Sequence, residues 1–243
     1  MRDTGARQRD NGDNPFCHVL PAKRDRRDCP RCHAIGNKEE ISTMCCRYFI
    51  EDTTEMQTIF SDMLRSSLVQ KWNALAPIKT CGEISPTDIV PVIASNRNRQ
   101  RAVFPMKWGF TGKTLLMNAR VETAAVKPTF REAWKSHRCI VPASYYFEWE
   151  HLIDQKGRKK TGDKYAIQPQ GDNTTWLCGL YRFENNYPFF VILTREPGEQ
   201  IRFIHDRMPL ILPEHLVNEW INPDADPAEL VKAAVTEVIA EKV

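Results

Sequence analysis

Met44-Cys45-Cys46-Arg47-Tyr48-Phe49 is the stretch on which the reading of this 243-residue chain turns. Before it, residues 1–43 are polar and poor in aliphatic periodicity; after it, strand and helix patterns follow one another. A segment so short of apolar residues cannot offset the entropy of ordering itself. A cysteine directly after a methionine is chemically special when that methionine starts the chain and is removed. The thiol and a free α-amine then belong to one residue. The expectation is that this pair at Cys45 is the reactive centre, against the bland reading of an inert buried thiol. Residues 1–43 are then a leader, disordered, cut away or preceding the true start, and residues 44–243 form one domain.

Working outward, Cys46 to Ile50 suits a short strand. Asp52-x-x-Glu55 resembles a capping box. Met56, Ile59, Phe60, Met63 and Leu64 then mark one face of a helix from Thr53 to about Ser66. Asp88 to Ile93 reads as a strand with Pro91 tolerated at an edge. Ala102 to Phe110 is a further strand, and Phe130 to His137 a short helix with Phe130, Ala133, Trp134 and His137 on one face. Strands are expected at Cys139–Pro142, Tyr145–Trp149, Tyr165–Gln168, Thr175–Phe183 and Phe189–Thr194, with a basic hairpin loop or flexible excursion over residues 151–163. Pro213–Trp220 and Pro227–Ala240 read as helices with proline in the first turn. Many strands with peripheral helices, in no regular βαβ order, make a single α+β domain.

The 42% hydrophobic content is enough for a core, and no apolar run is long enough to span a membrane. The first residues lack the apolar stretch of a secretory signal. A cytoplasmic, membrane-free placement is expected, with the eight cysteines as thiols rather than disulfides. Bulk charge decides little. Residues 1–43 hold nine Lys/Arg and seven Asp/Glu, leaving 25 against 24 afterwards, so any nucleic-acid site must come from local clustering. Cys29-Pro30-Arg31-Cys32-His33, with Cys17-His18 upstream, has zinc-ligand spacing but almost nothing apolar to pack around a metal.

Two clusters besides Cys45 carry candidate chemistry. Glu148 sits inside Tyr145-Tyr146-Phe147-Glu148-Trp149, where large rings would desolvate a carboxylate and suit it to proton transfer. A solvent-facing strand residue is the alternative. His205-Asp206-Arg207 lies between apolar Ile204 and Leu210–Leu212, as a buried polar site or as a structural ion-pair network. Taken in order, Met44-Cys45-x-Arg47-Tyr48, Trp108-Gly109, Asn118-Ala119-Arg120-x-Glu122-Thr123, Arg138 to Ala143, Phe147-Glu148-Trp149, Leu193-Thr194 and Ile204 to Pro209 closely resemble the SOS-response-associated peptidase (SRAP) family, over residues 44 to about 220.

The resemblance implies an SRAP-like fold, mostly antiparallel sheets in a barrel-like core, and an abasic-site sensor that crosslinks itself to single-stranded DNA. Cys45 would supply both nucleophiles. Asn118 would orient its terminus, Glu148 would carry protons, and His205 would assist opening of the sugar. Arg47, Arg120 and Arg207 would hold phosphates, and Trp108 with neighbouring aromatics would stack on flanking bases, Gly109 being counted among the DNA-binding residues. No metal or cofactor is called for, and a monomer is expected. The sequence departs from the family pattern at Cys46, where glycine is usual, and at Tyr145-Tyr146-Phe147, where Gly-Phe-Tyr is usual. Two rival readings share these residues: a cysteine peptidase using Cys45 and His205, and a non-covalent binder of modified DNA.

Overall fold

The computed structural model describes residues 47–154, 156–171 and 173–243. The chain runs β1 (Arg47–Ile50), α1 (Thr54–Ser61), α2 (Ser67–Asn73), β2 (Gly82–Ile84), β3 (Ile89–Ser95), β4 (Arg101–Trp108), β5 (Asn118–Arg120), α3 (Val121–Ala124), α4 (Pro128–Ser136), β6 (Arg138–Ala143) and β7 (Tyr145–Ile153). It continues through β8 (Lys159–Pro169), β9 (Thr175–Glu184), β10 (Tyr187–Arg195), β11 (Met208–Pro209), α5 (Val217–Ile221), α6 (Pro227–Val231) and β12 (Val238–Lys242).

The described strands form two sheets. One is antiparallel, in the order β12-β8-β7-β1-β2. The other runs β11-β10-β4-β3-β6-β9, and a further β9–β10 pairing closes five of its strands into a barrel, β10-β4-β3-β6-β9. Closure removes the exposed edges that an open sheet of this length would carry. The two parallel pairings between these strands fall on β10, against β4 and β5. The fold is thus α+β with a mostly antiparallel barrel core, as expected.

Alternation sets the core. In β1, Tyr48 and Ile50 are fully buried, while Arg47 and Phe49 lie on the opposite face. Tyr48 joins Trp108 and Phe190 inside, with ring centroids 5.3 Å and 6.1 Å from Trp108. A second cluster gathers Phe110, Trp134 and Trp220 under α4 and α5. There the buried Arg138 guanidinium donates to five carbonyls, those of Trp134, Lys135, Trp220, Asn222 and Ala225. One side chain so closes the end of α4 and the turn after α5, satisfying carbonyls that helix ends leave open.

Several elements differ from expectation. The first helix is capped by Thr53, whose hydroxyl accepts from Met56 N at 3.2 Å, while Asp52 accepts from the Gln57 side chain. It ends at Ser61 and passes through a single 3-10 turn, Asp62–Arg65, into α2, which Ser66 caps. Leu64, assigned to the helix stripe, is consequently 55% exposed. Pro91 lies inside the sheet rather than on an edge strand. It is tolerated because β6 pairs with β3 only at Ile93 and Ala94, and because it faces Pro105 across the ladder, where neither residue has an N–H. The helix over Pro213–Trp220 begins as a 3-10 turn, Glu214–Leu216, before α5. The helix over Pro227–Ala240 stops at Val231; Val238–Lys242 instead pairs with β8 as β12. Cys139 and Cys178 are free thiols, but Cys81 is disulfide-bonded, against the expectation of thiols throughout. Among the described residues, no helix is long and apolar enough to cross a membrane.

Candidate functional site

Antiparallel pairing of β1 with β7 builds the site. The register sets Arg47 opposite Phe147 and Tyr48 opposite Tyr146. Glu148 is therefore the next β7 residue past the first pair of β1. It is 3% exposed, shares with Tyr146 the inward-alternating set of β7, and accepts from Trp149 N at 3.3 Å. The expectation of a desolvated carboxylate thus describes its environment. Cys45 lies outside the described residues. Covalent geometry nevertheless keeps its Cα within about 7 Å of that of Arg47.

The far end of β7 brings in a second group. Past an irregularity in the β7–β8 ladder after Trp149, His151 N donates to Ile204 O at 3.0 Å. That bond ties the loop before β11 onto β7 and sets the His151 and His205 rings 4.0 Å apart. His205 is 2% exposed. Its Nδ1 lies 2.8 Å from the Asp206 carboxylate and 3.0 Å from Arg207 N. A neutral Nδ1 accepts from that N–H; a protonated one donates to the carboxylate. The ring is thereby held whichever protonation state it carries.

Asn118 and Arg120 stand on β5, whose parallel pairing sets Asn118 beside Ile192 and Arg120 beside Thr194. Asn118 is half-buried and Arg120 exposed. Arg207 reaches into the same corner: its guanidinium donates to both Glu122 carboxylate oxygens, at 2.7 and 2.8 Å, and to Thr194 O at 2.7 Å. Burial would raise the Glu122 pKa, but the Arg207 fork outweighs it and holds the carboxyl below the usual range. On the outer face of β1, Arg47 pairs with Glu83, which also receives Lys164 at 3.2 Å. Burial opposes the ionised form of Glu83 as well, and the two cations overcome it.

Two expected contacts take a different form. Trp108 is fully buried, packed against Tyr48 and Phe190, and donates its indole N–H to Met117 O at 2.9 Å. A base cannot reach its face, so Trp108 is a core residue rather than a stacking platform. Gly109 is buried too. Its φ of +105° and the Leu115 side chain, 2.8 Å from where a Cβ would stand, explain the glycine on packing grounds. Arg207, 8% exposed with both terminal nitrogens committed to Glu122 and Thr194 O, shapes the corner rather than presenting a free fork. Among the three expected phosphate ligands, Arg120 is the one that is exposed and makes no ion pair among the described residues. Phe203, which none of the sequence motifs marks, is 59% exposed two residues before His205 and set edge-on to Tyr165. A large apolar ring left in solvent next to a buried histidine was a signal that the local pattern did carry.

The class follows from this frame together with the sequence relationships. The family model described as "SOS response associated peptidase (SRAP)" matches residues 44–243, and the chain belongs to that family. Among relatives, "Abasic site processing protein YobE" of Bacillus subtilis is 39% identical over 118 residues, covering 46% of this chain and 52% of its own length. "Abasic site processing protein YedK" of Escherichia coli is 28% identical over 160 residues, covering 60% and 66%. The chain thus spans about half the length of the first of these. A solved protein from Bacteroides thetaiotaomicron shares the fold, with a TM-score of 0.62 at 22% identity over 82% of this chain and 92% of its own.

Proposed function

We propose that the protein processes abasic sites in single-stranded DNA by forming a covalent thiazolidine crosslink through Cys45. The observation that supports this reading is the burial of Glu148, a carboxylate one residue beyond the Arg47–Phe147 pair on the strand antiparallel to β1. Family membership and the printed names of the relatives support the choice of substrate.

The chemistry balances with this chain's groups alone. A ring-opened abasic deoxyribose carries an aldehyde at C1′. The Cys45 α-amine, with pKa near 8 and so roughly a tenth unprotonated at neutral pH, adds to that carbon. The carbinolamine loses its oxygen as water, giving an imine. The Cys45 thiol then adds to the imine carbon and its proton passes to nitrogen, closing a five-membered ring; one water leaves in all. Having both nucleophiles on one residue makes closure intramolecular, which contributes several kcal/mol through effective concentration.

Glu148 accepts the proton from the attacking ammonium and returns it to the departing oxygen. His205 relays a proton at the sugar hydroxyl during ring opening. Asn118 orients the Cys45 terminus. Arg120 takes a phosphate, Arg47 contributes from its pair with Glu83, and Arg207 acts by fixing Glu122 and the start of α3. Phe203 offers a face to a flanking base. The reaction needs an unacylated nitrogen on Cys45, reached by removal of residues 1–44, whether through self-cleavage or through a start at Met44 followed by methionine removal. Incubation with an abasic oligonucleotide tests this. A denaturation-resistant, salt-resistant adduct is expected, absent in Cys45→Ala. An adduct that survives Cys45→Ala would refute the assignment.

A further inference from the structure

We propose that His151, His205 and Asp206 form a site for a divalent transition-metal ion of the zinc class, and that a metal bound there blocks the reaction by occupying His205. The inhibitory half of this inference rests on the crosslinking function above; the binding half does not.

The three residues converge from two elements. His151 resumes the β7–β8 ladder just past its irregularity, and His205 and Asp206 belong to the loop before β11, which the bond from His151 N to Ile204 O holds in place. One ligand atom from each lies within 4.8 Å of the others. The His205 Nδ1 to Asp206 Oδ1 separation is 2.8 Å, and the two imidazoles stand 4.0 Å apart, tilted by 55° rather than stacked. Ligands held about 2.0–2.1 Å from a tetrahedral zinc sit about 3.3 Å apart, so a metal would open one contact slightly and draw in another. Two imidazoles this close repel one another if both are protonated. A metal takes both in the neutral form, with the carboxylate offsetting part of its charge.

Access suits an ion arriving from solvent. His151 is exposed and the Asp206 side chain is 70% exposed, while His205 closes the inner side at 2%. Two nitrogens and one carboxylate oxygen favour zinc, cobalt or nickel over calcium or magnesium, which prefer all-oxygen shells. Three protein ligands leave a fourth position for water. The consequence is chemical. A His205 ring nitrogen committed to a metal has no lone pair for a sugar proton. The protein then becomes sensitive to free metal through a histidine, His151, that the reaction itself does not use.

Zinc titration of the full chain, followed by the imidazole NMR resonances, tests binding. The His151 and His205 signals should move together and saturate together; zinc that moves neither, or moves only one, overturns the site. The second measurement is zinc inhibition of crosslinking in native protein and in His151→Gln, with Asp206→Asn as an independent ligand loss. Each variant should need roughly tenfold more zinc for half-inhibition. His151→Gln should crosslink at the native rate without metal. Equal zinc sensitivity in native and variant proteins would trace inhibition to the cysteines and overturn the proposal. A native protein that never crosslinks overturns the proposed function alone, because the paired resonance shifts still decide the metal site.

Discussion

Arg207 and Arg120 are the same residue type drawn from the same recognition pattern, and their surroundings separate them. Arg207 is buried with its fork on Glu122 and Thr194 O, so its removal strands a carboxylate and a carbonyl. Arg207→Ala should destabilise the fold by about 3 kcal/mol, read as a shifted denaturation midpoint. If Arg207→Ala leaves stability unchanged while DNA affinity falls, the guanidinium is a phosphate ligand after all. Arg120→Ala should leave stability alone. It should weaken single-strand binding evenly across sequences and lower the slope of log affinity against log salt by about one ion. Glu148 makes a third case. Glu148→Gln keeps the volume and removes the base, so adduct formation should slow by about a hundredfold or more while single-strand binding persists. Lost binding or a lost fold would make Glu148 a structural residue.

At the scale of elements, β1 and β7 decide the site, and both were legible. Alternation of aromatic and β-branched residues marked Tyr145 to Trp149 as a strand, and a carboxylate inside that run signalled burial. What alternation could not give was pairing. The contacts of Glu148 and His205 depend on β1–β7 register and on the Ile204–His151 bond, which join residues about 50 to 100 positions apart. Sequence pattern misplaced Trp108 for the opposite reason. An aromatic followed by glycine looks alike on a surface and in a core, and only the β4–β10 pairing stacks Phe190 on Trp108 and only the packing of the β1 sheet sets Tyr48 against it. The tail shows tertiary override: residues 232–240 have helical composition, but the edge of β8 captures Val238–Lys242. Phe203, beside the captured loop, should stack on DNA. Phe203→Ala should weaken single-strand binding by about 1–3 kcal/mol with little change in stability.

Across the whole molecule, burial and pairing fix how the protein responds to its medium. Cys139 and Cys178 are fully buried, and burial pushes both thiols well above the usual range. They should react with a thiol reagent only as the protein unfolds. Glu83 and Glu122 titrate below their ordinary value of 4.5 in the folded state because of Arg47 with Lys164, and of Arg207. A carboxyl with a depressed folded pKa adds stability that is complete above its unfolded pKa and vanishes as pH falls through the folded one. Stability should therefore hold near neutrality and drop below about pH 4.5, where unfolded glutamate begins to bind protons. Arg207→Met should flatten part of that drop, as midpoints measured from pH 6 to 3 would reveal. The central claim concerns one residue, and mass spectrometry of the protein–DNA adduct reaches it directly. After digestion, the account predicts a peptide beginning at Cys45 that carries the abasic nucleotide, at the sum of the two masses less one water. An adduct mapped to a lysine, or a DNA-bound peptide in which residue 44 is still joined to Cys45, would contradict it.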